Sequence, residues 1–113
     1  MSEECAKDRR AVQDTLEVIS GKWKLLILIT LLERPSRFKE LSRKVGVTPR
    51  MLSKELQSLE SNKLVSRKVL ETKPVSVEYA ITAYGITLKT VLEAMADWGK
   101  AFRKNTLSEN LNR

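Results

Sequence analysis

Residues 46–60, GVTPRMLSKELQSLE, crowd Thr48, Arg50, Met51, Ser53, Lys54 and Gln57 into one short stretch. The chemistry of this set is recognition by hydrogen bonding. A guanidinium can bond two acceptors on a guanine edge, a carboxamide can do the same on adenine, and a hydroxyl can meet a base edge or a phosphate. An apolar rhythm runs through the same residues. At about 100° per residue, Leu56 and Leu59 fall within roughly 40° of Leu52 on a helical wheel, whereas Ser53, Gln57, Arg50 and Lys54 fall about 100–200° away. One side would seat a helix and the other would stand free to enter a groove. Met51 flanks the apolar stripe, where it can pack inward or touch a thymine methyl.

The surrounding charge points the same way. Residues 34–54 hold Arg34, Arg37, Lys39, Arg43, Lys44, Arg50 and Lys54 against the single acid Glu40, within a chain of formal net charge +7. Residues 1–17 lean acidic instead, with Glu3, Glu4, Asp8, Asp14 and Glu17 against Lys7, Arg9 and Arg10. Charge segregated in this manner suits a surface that meets a polyanion. Arg37, Lys39, Arg43 and Lys44 precede the helix just described, so they are expected to hold phosphates and set position, not to read bases.

Catalysis finds little to work with. The chain has no histidine and one cysteine, which removes the imidazole base, the Ser-His pair and the common metal-ligand sets. Its four glycines are scattered and form no phosphate loop. We expect no enzyme, no cofactor and no metal. No run of apolar residues is long enough to span a bilayer, and residues 1–10 lack the apolar core of a secretory signal, so a cytoplasmic protein is expected.

At 113 residues, 42% hydrophobic and 31% charged, the chain fits one domain. Residues 1–10 read as a flexible arm, 11–102 as the folded domain and 103–113 as a polar tail. Val12, Leu16 and Ile19 mark a first helix. The segment KWKLLILITLLE is apolar nearly all round, which predicts a central helix covered on several sides and ended by Pro35. Phe38, Leu41 and Val45 give a short third helix; Gly46 suits its C-terminus, and Thr48 with Pro49 suits the start of the next, over 48–61. Two short helices about such a turn make a helix-turn-helix. Period-two alternation over 65–70 and 75–81 then predicts a hairpin whose loop is ETKP (71–74), in a wing at about 71–75. Thr82 is placed to cap a last helix whose Leu88, Val91, Leu92, Met95, Trp98 and Phe102 share one side. The expected fold is therefore mainly α with a small β-hairpin, a winged helix-turn-helix.

Several motifs in order match one known family. EVISGKWKLLIL (17–28) resembles the family's "DVIGGKW" segment, and Arg37-Phe38-Lys39-Glu40-Leu41 its "RF-x-EL". Pro49-Arg50-Met51-Leu52, continuing through Leu56 to Leu59-Glu60, follows its recognition-helix pattern. Lys63-Leu64-Val65-Ser66-Arg67, Val77-Glu78-Tyr79-Ala80-Ile81-Thr82 with Gly85, and Trp98-Gly99 complete the set. Over roughly 11–102 the chain resembles the HxlR-type winged helix-turn-helix regulators of the MarR-like superfamily. The resemblance implies a dimeric regulator that binds double-stranded DNA, with Lys73 and then Lys68 reaching a neighbouring groove or phosphate from the wing.

The apolar side of the last helix exceeds what one hairpin and its neighbours can cover. A two-fold homodimer is expected, built from Leu88, Val91, Leu92, Met95, Trp98 and Phe102 with Val12, Leu16 and Ile19, and reading a palindromic operator. Some members of the resembling family sense oxidants through a cysteine just before the first helix. Cys5 lies a few residues earlier than that place, and any disulfide it forms must be intermolecular or with a small thiol. Two alternatives stand beside a plain DNA-binding regulator. One is a repressor responsive to a small molecule, bound between dimer helices and DNA-binding lobe, or to thiol oxidation. The other is a winged helix used for protein contact.

Overall fold

The computed structural model describes residues 3–111, with side chains through residue 107. Nine elements follow one another: α1 (Glu3–Ile19), α2 (Lys24–Glu33), β1 (Ser36–Arg37), α3 (Phe38–Val45), α4 (Pro49–Ser61), β2 (Val65–Leu70), β3 (Ser76–Ile81), α5 (Ala83–Ile86) and α6 (Lys89–Leu111). The strands form an antiparallel sheet in the order β1-β3-β2. The fold is mainly helical with a small sheet, the winged helix-turn-helix expected above. No helix among the described residues is long and apolar enough to cross a membrane.

Helix α2 lies at the centre. Its Ile27, Leu28 and Leu31 are buried against Leu41 of α3, Leu52, Leu56 and Leu59 of α4, Val47 of the intervening turn, and Leu64, Val65 and Tyr79 beyond. Arg34 adopts extended dihedrals, φ −171° and ψ 158°, as a residue before proline should. The chain then runs straight into β1, which pairs Ser36 with Tyr79 and Arg37 with Glu78. This third strand was not expected. Two residues are too few to show period-two alternation, and Ser36, buried at 1% exposure, carries no apolar signal.

Four further differences concern the helices. Helix α1 begins at Glu3, so residues 3–10, read as a flexible arm, are helical; Glu3 and Glu4 sit in its first turn, where acids favour the positive end of the helix dipole. Helix α6 continues past 102 to Leu111, so the stretch read as a tail is helical over its described part. Residues 1, 2, 112 and 113 lie outside the described residues. Thr82 caps the short helix α5, accepting from Gly85 N–H at 2.9 Å, and α6 starts afresh at Lys89. Finally, α2 is covered on fewer sides than its composition suggests, with Leu26 and Ile29 41% and 42% exposed.

One junction ties the end of α4 to the start of α5. Thr82 donates its hydroxyl to the carbonyls of Lys63 and Leu64 at 2.7 and 3.1 Å, and its N–H donates to Leu64 O at 3.0 Å. The exit of α4 is thereby tied to the root of α5 and α6. Gly85 lies buried in this seam; a Cβ there would collide with the Leu64 carbonyl and stand 2.7 Å from Ile81 Cγ1.

Candidate nucleic-acid interface

The helix-turn-helix is set by local chemistry. Gly46 closes α3 at φ 76°, ψ 36°, and its N–H donates to Ser42 O. Only glycine takes that left-handed conformation without steric cost. The Ser42 hydroxyl donates to Val47 O at 2.7 Å, and Val47 turns inward to the core. Thr48 then caps α4 by accepting from Met51 N–H at 3.3 Å, with Pro49 at the first helical position. Glu40 accepts from Arg37 N–H at 3.2 Å and from Arg34 Nη2 at 3.2 Å. The one acid of the basic segment is thus occupied with a helix start and one arginine.

Helix α4 is sorted as its wheel predicts. Leu52, Leu56 and Leu59 are at most 1% exposed, whereas Thr48, Arg50, Ser53, Lys54 and Gln57 are exposed and Met51 is 37% exposed. Glu55, the acid nearest those cations in sequence, turns toward α2. Its Oε2 stands 2.8 Å from Lys24 Nζ, with the two side chains 12% and 13% exposed. The approach satisfies an ion pair by distance but not a hydrogen bond by angle, since that oxygen has no hydrogen-bond partner. Arg37, Lys39, Arg43, Lys44, Lys68 and Lys73 are also exposed. Among the described residues, the ion pairs are Lys24–Glu55 and Arg34–Glu40, so none of these six cations, nor Arg50 or Lys54, is neutralised by one.

A family model described as HxlR-like helix-turn-helix matches residues 18–107. The chain belongs to the HxlR-like helix-turn-helix family. It is 41% identical over 96 residues to the uncharacterized HTH-type transcriptional regulator YkvN of Bacillus subtilis, covering 84% of this chain and 81% of that one. Among solved structures it resembles the redox regulator HypR in its reduced form, with TM-score 0.80, 36% identity and coverage of 87% and 98%. It also resembles the reduced form of the transcriptional regulator YodB from B. subtilis, with TM-score 0.71, 33% identity and coverage of 80% and 89%. The chain is a transcriptional regulator with a helix-turn-helix domain, not an enzyme.

In this HxlR-like chain the apolar residues expected at a dimer interface divide into two groups. Ile19 and Leu92 are buried within the chain at 5% and 3% exposure, and Leu88 packs partly buried against the core. These three fasten the terminal helices to the body, so they leave the set offered to a partner. Val12, Leu16, Val91, Met95, Trp98 and Phe102 remain open, 39–69% exposed. Trp98 and Phe102 stack at 5.3 Å between ring centroids, 10° from parallel. A groove of about 550 Å³ between α1 and α6 is lined by Val12, Leu16, Leu25, Val91 and Met95. Leu26 and Ile29 of α2 extend this surface beside Met95. Sequence patterning missed both, because an all-apolar helix does not reveal which of its sides stays open.

Proposed function

We propose that the chain is a sequence-specific double-stranded DNA-binding regulator that acts as a homodimer. The carrying observation is the division of α4. Three leucines seat it, Glu55 is drawn to Lys24, and Arg50, Ser53, Lys54 and Gln57 stand outward with Thr48 and Met51 at the edge. That face has the dimensions and donors to enter a major groove and read base edges. Arg37, Lys39, Arg43 and Lys44 supply phosphate contacts that fix register. Lys73 and Lys68 supply the wing's contacts to the adjacent groove or backbone. Trp98, Phe102 and the α1–α6 groove form a two-fold interface, which matches two α4 helices to the halves of a palindromic operator. Selection of bound duplexes from a random pool tests the reading. An enriched palindrome supports it, and a pool that stays random at physiological salt refutes it.

A thiol-responsive form of this regulator has its own support. Cys5 is exposed near the start of α1, and the relatives in hand include a redox regulator and a regulator whose diamide-treated form was solved. With one cysteine per chain, diamide would join two protomers. Two thiols become one disulfide while two electrons and two protons pass to the diamide. Duplex affinity measured before and after diamide, in wild type and Cys5→Ser, tests this. Equal responses from both proteins would remove Cys5 from any signalling role.

A further inference from the structure

Lys24 carries the wrong charge for its place. It opens α2, whose first turn holds no acid and whose preceding Trp23 offers no side-chain cap. The positive end of a helix dipole favours an anion there and disfavours a cation. The bond from Lys24 Nζ to the nearby Ser20 carbonyl is long, 3.4 Å, whereas Glu55 Oε2 on α4 stands 2.8 Å away. The ammonium therefore serves a distant helix at the expense of its own.

Glu55 occupies a border. At about 100° per residue, it lies roughly 60° round the α4 wheel from Leu52, with Leu59 between them and Met51 next outward. A carboxylate on such a border can turn inward to a cation or outward to water. Its buried Oε2 has no hydrogen-bond partner, so the charge of Lys24 is what holds that oxygen inward. Stripped of this cation, a shielded carboxylate is strongly disfavoured and a short rotation exposes it. Swung outward, Glu55 would stand beside Met51, its neighbour one turn back, at the edge of the face that presents Arg50, Ser53, Lys54 and Gln57. An ionised carboxylate accepts hydrogen bonds and donates none, and a duplex would meet it with phosphates of the same sign. We propose that Lys24 is a positioning residue for nucleic-acid binding: by holding Glu55 against α2, it keeps that acid off the duplex-facing side of α4. The inference rests on the DNA-binding reading above. Lys24 acts through Glu55, its own side chain being 13% exposed.

The test compares wild type, Lys24→Met, Glu55→Met and the double variant on sheared mixed-sequence duplex DNA. Lys24→Met should bind about tenfold more weakly, a change comparable to losing one charge-assisted contact. Glu55→Met breaks the same ion pair yet should bind no more weakly than wild type, and the double variant should regain wild-type affinity. A merely structural pair would make the two single variants alike. Lys89→Met removes the same charge from an exposed position on α6. It should change affinity by about twofold or less, because salt screens distant exposed charges. A second measurement contains no DNA. A soluble neutral gadolinium chelate should broaden the Glu55 side-chain resonances in Lys24→Met and spare them in wild type. Lys24→Gln replaces Lys24→Met in both measurements if the latter does not fold. Three results would overturn the inference: a Glu55 still shielded from the chelate in the Lys24 variant, equal losses of affinity in the two single variants, or a loss from Lys89→Met as large as that from Lys24→Met. A wild type indifferent to duplex DNA would instead refute the DNA-binding reading, and the chelate measurement would still decide whether Lys24 restrains Glu55.

Discussion

Lys24 Nζ lies 2.8 Å from Glu55 Oε2, joining the first turn of α2 to the middle of α4 across a largely shielded gap. The contact aligns the two helices and withdraws an acid from the neighbourhood of Arg50 and Lys54. Its value lies in orientation. A shielded ion pair gains little over an apolar pair of similar size, but losing one partner strands the other charge. Lys24→Met should therefore destabilise the fold by about 3 kcal/mol, and Lys24→Met with Glu55→Met should recover most of that loss. Urea melts of wild type, the two single variants Lys24→Met and Glu55→Met, and the double variant check it. A single variant as stable as wild type would show that the pair has no structural role.

Arg50 and Arg43 should separate under mutation. Arg50→Ala is expected to weaken specific binding by about 1–3 kcal/mol and relax base preference, whereas Arg43→Ala should weaken all duplexes alike and flatten the salt dependence. Titrations of the selected operator and a scrambled duplex at several salt concentrations distinguish them. Equal losses on both duplexes for Arg50→Ala would strip that residue of a reading role.

Trp98 is 69% exposed, so its replacement should leave the protomer intact while removing a central anchor of the proposed dimer. Trp98→Ala is expected to raise the dimer dissociation constant by the equivalent of about 2 kcal/mol or more. Sedimentation across a dilution series measures the shift. A wild-type chain that sediments as a monomer at micromolar concentration would refute the interface itself.

Gly85→Ala should cost about 1–3 kcal/mol through overpacking, since the added methyl meets the Leu64 backbone in a seam with no slack. Thermal melting reads this directly. Gly99→Ala is the control, because nothing lies within 4 Å of a Cβ there; its stability should not fall.

The fold was legible wherever a residue type has one physical use. The Gly46-Val47-Thr48-Pro49 turn is set by a left-handed glycine and a capping threonine, and both act locally. The sorting of α4 was legible for the same reason, because a helical wheel is a property of the helix alone. Long-range pairing was not. Strand β1 exists because β3 lies beside it, and nothing in Ser36-Arg37 announces that neighbour. The burial of the apolar residues on α6 was half legible. Periodicity put Leu92 and Trp98 on one side of α6, but only packing shows that Leu92 is buried while Trp98 stays open. Lys24–Glu55 joins residues far apart in the chain, so spacing could not foretell it.

The hydroxyl of Thr82 grips the Lys63 and Leu64 carbonyls while its oxygen also receives Gly85 N–H. Mechanically that makes α4 and the long terminal helix resemble a bell crank, two arms meeting at one pivot. A wedge driven between α1 and α6 would load this pivot, and through it α4. On the dimeric DNA-binding reading proposed above, the angle at which each protomer would address its half-site could then be set from the far side of the molecule.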